Sequence, residues 1–186
     1  MPRTPSPPFR AIIRAMDHLR IRGLRLDLTP LPAAVAAALP GDRGAAERLL
    51  GATLPDAWPQ ADLLDVLPIQ AAAEPEGERF GIWLMIERER NTVVGDIGFL
   101  GPPNRGRVEI GFSVIPDRRR RGYATEAAVA LADWVVGEPD VHELVARSEV
   151  ANEASARTLA GAGFIREDEH EGLVSWRRAR ACRGRA

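Results

Sequence analysis

The sequence predicts an α/β fold, a mixed and mostly antiparallel sheet with flanking helices. Three observations carry this. Runs with period-two alternation sit near both ends of the chain. Three more strand-like runs follow one another between Arg79 and Pro116. A stretch from Tyr123 to Val136 repeats its apolar residues at helical spacing. At 186 residues, the chain has the size of one domain with a real core. No internal repeat or linker divides it.

The elements follow in order from local chemistry. Leu19 to Leu28, "LRIRGLRLDL", alternates apolar and polar side chains and reads as one half-buried strand, stopped by Thr29-Pro30. "AAVAAAL", "GAAERLLG" and "DLLDVLPIQAAAEP" have helical spacing and read as two or three short helices, separated by Pro40-Gly41 and "PDAWPQ". "RFGIWLMIER", "TVVGDIGFLG" and "RVEIGFSVIP" form an antiparallel meander, with a turn at "ERN" and a stop at Pro116-Asp117. "YATEAAVALADWVV" is an amphipathic helix with Ala127, Leu131, Trp134 and Val135 on one face. "HELVARSEV" is a strand, and "NEASARTLAGAG" is a short helix closed by glycine. "FIRED" and "LVSWRRA" pair as a terminal hairpin around "EHEG". Trp83 and Trp134 are expected in the core.

Composition narrows the function classes. Apolar residues make up 45% and charged ones 27%, which marks a globular chain. The formal net charge of −1 argues against a nucleic-acid binder, although all 25 basic residues are arginine. Cys182 is the only cysteine, so an intrachain disulfide or cysteine-rich zinc site is excluded, which fits a cytoplasmic location. His18, His142 and His170 are scattered without metal-ligand spacing, and no metal is expected. No apolar run approaches the roughly 18 residues of a membrane span, so no membrane partner is expected. Residues 1–17 read as a flexible arm, with Met16 an alternative start. Residues 18–178 read as the domain and 179–186 as a basic, solvated tail.

One segment carries chemistry: "EIGFSVIPDRRRRGYATEAAVALADWV". A strand enters a tight basic loop and leaves it as a helix opened by Gly122 and Ala124. The first turn of a helix presents N–H groups without internal partners, and its dipole adds about half a positive charge. Glycine lets an anion approach, so the combination suits a pyrophosphate, with arginines at the rim supplying charge-assisted bonds. The alternative is a helix that merely begins after a basic loop.

Arg119-x-x-Gly122-x-Ala124 resembles the Arg/Gln-x-x-Gly-x-Gly/Ala motif of the GCN5-related N-acetyltransferases (GNAT). Downstream, Asn152, Ser155, Leu159 and Gly163-Phe164 match the Asn-x-x-Ser-x-x-x-Leu-x-x-x-Gly-Phe pattern of the branch resembling ribosomal-protein-alanine N-acetyltransferases (RimJ/RimL-like). The resemblance runs from about Leu19 to Arg178, loosely over Ala33 to Pro75. It implies the acyl-CoA N-acyltransferase fold, a twisted sheet with a V-shaped splay where Ile110 to Ile115 leaves the next strand. It implies acetyl-CoA as co-substrate and a primary amine as acceptor, acetylated by direct attack in a ternary complex. The acceptor is a protein N-terminal α-amine or a small-molecule amine, and the chain is a monomer or homodimer.

The resemblance also places residues. Main-chain groups near Ser113, Val114 and Ile115 bind the pantetheine amides as a pseudo-strand. Backbone N–H groups of Arg119, Arg120, Arg121, Gly122, Tyr123 and Ala124 hold the pyrophosphate, with Thr125 adding a hydroxyl. Arg118 and Arg119 reach toward the 3′-phosphate or adenine. Asn152 bonds the pantetheine arm. Ser155 sits near the sulfur and solvates the leaving thiolate, unless it is only a capping or surface serine. The Val114 N–H is the expected donor to the thioester carbonyl. Many members carry a tyrosine acid where this chain has Leu159, and Tyr123 belongs to the loop, so it is no substitute. Glu109 is the candidate base if it lines the cleft; otherwise it is a solvent-facing strand carboxylate. Asp96 and Trp58 either face the acceptor or pack. This sparse set suits α-amines, whose pKa is about 7.7–8.0 against about 10.4 for lysine. Two other readings stay open: a non-catalytic acyl-CoA sensor, and a nucleic-acid binder built on the arginine run.

Overall fold

Gly23 divides the first expected strand. Its N–H donates to the Leu26 carbonyl at 2.8 Å, closing a turn between β1 (Ile21–Arg22) and β2 (Leu26–Pro30). The proline does not stop β2. Pro30 lies opposite Trp83, and the Leu31 N–H donates to the Ile82 carbonyl at 2.7 Å. Pro30 therefore falls at a non-hydrogen-bonded ladder position, where its missing N–H is not needed. The computed structural model describes residues 19–74 and 78–179. The expected arm over 1–17, His18, Cys182 and all of the expected tail except Ala179 lie outside the described residues.

Four short helices follow: α1 (Ala33–Ala38), α2 (Arg43–Leu50), α3 (Ala61–Leu64) and α4 (Leu67–Ala71). Asp42 caps α2 by accepting the Ala45 N–H at 2.8 Å. Pro68 splits the run "DLLDVLPIQ": proline fits the first turn of α4 but not a helix interior. The meander comes next, as β3 (Ile82–Glu87), β4 (Thr92–Phe99) and β5 (Arg107–Val114). A single 3₁₀ turn at Pro116–Arg118 leads to α5 (Tyr123–Val135). The chain ends with β6 (Glu143–Glu149), α6 (Glu153–Gly161), β7 (Ile165–His170) and β8 (Leu173–Ala179).

The eight strands form one sheet in the order β1-β2-β3-β4-β5-β6-β8-β7. Every pair is antiparallel except β5 with β6. That parallel pair is joined through α5, the crossover a parallel pair requires. Both faces of the sheet are covered. On one face Val108, Ile110, Ile97 and Phe99 pack with Ala127, Leu131 and Val135 of α5 and Leu159 of α6. On the other, Leu84, Val93 and Ile115 pack with Val35, Ala46, Leu63 and Leu67 of α1–α4 and with Trp58. Trp83 is in the first core and Trp134 packs against it, 5.0 Å from Trp83 between ring centroids.

A bulge in the β3–β4 pairing, between Met85 and Ile86, sets which β4 side chains face which layer. Beyond it Ile97 and Phe99 enter the α5 core, so Asp96, next to Ile97 and on the opposite face of the strand, points to the α1–α4 layer. Gly95 is required by close approach: a Cβ there would lie 2.2 Å from the Ser113 carbonyl oxygen.

Helix α5 is tied to β2 by Glu126. Its Oε1 accepts the main-chain N–H groups of Arg25 at 2.6 Å and Leu26 at 3.0 Å, and its Oε2 accepts Arg25 Nε at 2.9 Å. Burial alone would raise this carboxyl's pKa; the Arg25 and Leu26 bonds outweigh it and hold the group below the ordinary glutamate value. Glu126→Ala strands two main-chain donors and should destabilise the fold by about 2 kcal/mol, read as a lower urea midpoint at unchanged m-value. Because the folded pKa is depressed, this stabilisation is complete above the unfolded value of 4.5 and is lost as the pH falls below that value and through the lower folded one. The difference between variant and wild type should therefore shrink below that pH.

Candidate active site

The site begins where two paired strands part. β5 pairs with β6 only from Arg107 to Ile110, against Glu143 to Ala146. Beyond that point β6 stays with β8, through Arg147–Ser175 to Glu149–Leu173, while β5 stays with β4 as far as Val114. The V-shaped splay implied by the resemblance is this divergence. Hydrogen bonding along β4–β5 fixes which main-chain groups face the gap. The Ile115 N–H donates to the Val94 carbonyl and the Leu100 N–H to the Glu109 carbonyl, at 3.0 and 2.9 Å. Both bonds flank non-hydrogen-bonded pairs, so by alternation Phe112 and Val114 turn their N–H and C=O groups toward the gap. Gly111 and Ser113 turn theirs to β4. The expectation of main-chain ligands at Ser113 and Ile115 is corrected accordingly: β4 occupies the Ser113 groups and the Ile115 N–H, the Ile115 carbonyl accepts the Arg118 N–H at 3.0 Å, and Ile115 is buried in the α1–α4 core.

The gap opens into a cleft of about 780 Å³, floored by Phe112, Ser113 and Val114 and walled by the Pro116–Thr125 loop and by α6. Arg120 and Gly122 adopt left-handed backbone angles, φ 59° and 79°, a conformation natural for Gly122 and forced on Arg120. No side chain caps α5. The Glu126 N–H bonds the Gly122 carbonyl, so the N–H groups of Tyr123, Ala124 and Thr125 precede the first intrahelical bond and are open to an anion. The four arginines divide. Arg118 leans inward, its Nη1 3.4 Å from Glu87 Oε2. Arg119 bridges the cleft mouth, with Nε on the Val114 carbonyl and Nη2 on Gln60 Oε1, both at 2.9 Å. Arg120 lines the cleft. Arg121 does not; its carbonyl accepts Arg25 Nη1 at 2.9 Å.

Three residues outside the motif support this loop. Glu87, at the end of β3, is buried and accepts the Tyr123 hydroxyl. That bond, against burial and with help from Arg90 and Arg118, holds the Glu87 carboxyl below the usual range. Arg25 stacks over the Tyr123 ring at 4.7 Å, and Glu126 fixes Arg25. Sequence reasoning missed all three. Their partners lie 31 to 101 residues away, and no local pattern marks them. Tyr123 is thus a buried anchor, its hydroxyl pKa raised by burial and by Glu87.

On α6, Asn152 is the N-cap and accepts the Ser155 N–H at 3.0 Å. Its Oδ1 is engaged, and Asn152 lines the cleft. Ser155 lines the cleft. Leu159 is in the core, so no acid replaces the family tyrosine there.

The expected base is not where the sequence suggested. Glu109 is absent from the cleft lining. Arg147 Nε and Nη2 grip its two oxygens at 2.9 and 2.8 Å, and it stands four residues along β5 from Ser113, about 13 Å at strand rise. Asp96 is a buried carboxylate behind the cleft floor. Its Oδ2 accepts Trp58 Nε1–H at 2.8 Å and the Ser113 hydroxyl at 2.9 Å. Burial pushes the Asp96 carboxyl up to about 6; the bonds from Trp58 and Ser113 oppose the rise and the Asp62 charge adds to it. Among the described residues no acidic, histidine or cysteine cluster could hold a metal ion, and no helix is long and apolar enough to cross a membrane.

Comparison with known proteins agrees with this geometry. Residues 19–165 match the acetyltransferase (GNAT) domain family. The uncharacterized N-acetyltransferase YjdG of Bacillus subtilis strain 168 is 31% identical over 165 residues, 87% of this chain and 97% of the relative. An acetyltransferase (GNAT family) from Bacillus anthracis superposes with a TM-score of 0.62 at 19% identity, covering 87% of this chain and 99% of the other. RimL, a ribosomal L7/L12 α-N-protein acetyltransferase solved in complex with coenzyme A, superposes with a TM-score of 0.60 at 16% identity, covering 86% and 97%. The domain match and the similarity to YjdG along almost its whole length place the family beyond the fold alone: the chain belongs to the GNAT acetyltransferases.

Proposed function

We propose that the chain transfers the acetyl group of acetyl-CoA to a primary amine, either a protein N-terminal α-amine or a small-molecule amine, by direct attack in a ternary complex. The observation that carries this reading is the continuity of the splay with the uncapped helix. The gap-facing groups of Phe112 and Val114 lead straight into the open N-terminus of α5. A long ligand with amides at one end and a pyrophosphate at the other meets complementary groups along its whole length. The coenzyme A complex of RimL, a protein of the same fold, supports the same choice of co-substrate.

Each group then has a role. Backbone N–H groups from Arg120 to Thr125 hold the pyrophosphate; the Arg119 N–H, expected among them, donates to the Pro116 carbonyl at 3.3 Å instead. Arg118, Arg119 and Arg120 supply charge for the remaining phosphate. Arg119 donates to the Val114 carbonyl in this structure; a pantetheine amide takes that acceptor when it binds, which frees the guanidinium for phosphate. Asn152 donates through Nδ2 to the pantetheine arm. The Val114 N–H polarises the thioester carbonyl. Ser155 solvates the departing thiolate. A serine hydroxyl is a weak acid, so its contribution is a hydrogen bond rather than a committed proton.

Three measurements test this. Thiol release from acetyl-CoA, followed across a panel of peptide α-amines and small primary amines, should be acceptor-dependent. Tight coenzyme A binding with no acceptor-dependent thiol would instead favour a sensor. Gly122→Glu places bulk and negative charge in the anion cradle at a left-handed position, and should weaken coenzyme A binding by at least about 100-fold, equivalent to about 2.7 kcal/mol. Unchanged affinity by calorimetry would place the pyrophosphate elsewhere. Ser155→Ala should lower kcat by about 10-fold, a modest share of the usual acid–base contribution, while leaving coenzyme A affinity near wild type.

A further inference from the structure

We propose that Ser113 and Asp96 form a proton relay that deprotonates the incoming amine, and that a cationic primary amine enters on the α1–α4 side of the cleft, past Gln60 and Asp62. The proposal rests on the acetyl-transfer reading above and adds the base and the acceptor class to it.

The geometry comes from the strand register. Ser113 turns its main chain to β4, so its side chain projects to the same face as that of its ladder partner Asp96. Ser113 lines the cleft, and its hydroxyl donates to Asp96 Oδ2 at 2.9 Å. A hydroxyl with its one proton committed in that direction still has a lone pair for an N–H in the cleft. Asp96 itself is fixed. Trp58, fully buried, holds the same Oδ2 at 2.8 Å, and buried Leu84 lies opposite on β3. The other oxygen, Oδ1, accepts no hydrogen bond among the described residues. Val114, whose N–H faces the gap, is the next residue after Ser113, so the relay sits beside the carbonyl donor.

Electrostatics agree with the placement. The groups packed against Asp96 from β3, β5 and the Trp58 segment are uncharged; the charged group acting on it is Asp62 of α3, which also lines the cleft. With its carboxyl at about 6, Asp96 is charged at neutral pH yet only about two units below an α-amine. That is the range in which a general base is effective. Two acidic groups at this end also favour an ammonium over a neutral or anionic acceptor.

The step balances. The ammonium gives one proton to Ser113 Oγ as the Ser113 proton passes to Asp96 Oδ2. The neutral nitrogen attacks the thioester carbon; the C–N bond forms and the C–S bond breaks. The second nitrogen proton goes to the sulfur, giving the thiol, and Asp96 returns its proton to solvent.

The test compares the full wild-type chain with Asp96→Asn, which keeps acceptors for Trp58 and Ser113, and with Ser113→Ala. Each is assayed with the most active alkylamine of the panel and with O-methylhydroxylamine, which is already neutral at pH 7, against an enzyme-free blank. Both variants should bind coenzyme A within about two-fold of wild type and lose about 100-fold in kcat/KM with the alkylamine. The loss should fall to a few-fold with O-methylhydroxylamine. The acid limb of the wild-type profile, near pH 6, should disappear in Asp96→Asn. Equal losses with both amines, an intact limb, or full activity in Asp96→Asn overturns the relay alone. A wild-type chain that binds coenzyme A but releases no thiol with any amine overturns the acetyl-transfer reading and the relay with it.

Discussion

The structure turns on one strand edge that has lost its neighbour. Main-chain N–H and C=O groups inside a protein need partners, and β5 has them on one side along its whole length but on the other only as far as Ile110. Where β6 turns away to follow β8, the Phe112 and Val114 groups are left facing a cleft. Here Arg119 covers the Val114 carbonyl from the loop. A bound extended chain would cover it better, with amides at strand spacing. The open edge is thus a standing acceptor for a ligand that behaves like one more strand.

Everything beyond the edge positions what such a ligand carries at its ends. The 3₁₀ turn and the left-handed residues Arg120 and Gly122 fold the chain back so that α5 starts at the mouth of the gap with its first N–H groups free. That backbone is held from beneath by ionic contacts: Glu87 with Tyr123 and Arg118, and Glu126 with Arg25 and Leu26. These carboxylates are the structural counter-charge of the loop. They let several arginines crowd together without leaving the cradle to be shaped by their mutual repulsion. At the opposite end of the cleft Asp62 on the wall and Asp96 behind Ser113 add negative charge, next to the Arg119 guanidinium that bonds Gln60 and the Val114 carbonyl. An anion at one end and a cation at the other is the polarity expected for a phosphate-bearing acyl donor meeting an ammonium acceptor.

Local chemistry made most elements legible. The meander, the long helix with its apolar face, the short helix over Glu153–Gly161 and the final hairpin all occur close to where alternation, spacing and turn residues put them. The exceptions are instructive. The first strand is a hairpin because Gly23 permits a turn inside an otherwise continuous alternation, and β2 runs through Pro30 because that position needs no N–H. The run before Arg79 holds separate short helices because Pro68 can begin a helix but not continue one.

By itself the sequence determined the class of fold, the family and the glycine-opened start of α5, because glycine, proline and cap preferences act within a few residues of where they are written. Tertiary structure alone decided which groups face the cleft. Ser113 rather than Val114 turns its side chain toward Asp96, Glu109 is captured by Arg147 from the neighbouring strand, and Asp96 is buried under Trp58. Each of these depends on a register shift or on a partner far along the chain. A register that differs by one residue exchanges the two faces of a strand, and no local pattern in the sequence records that choice.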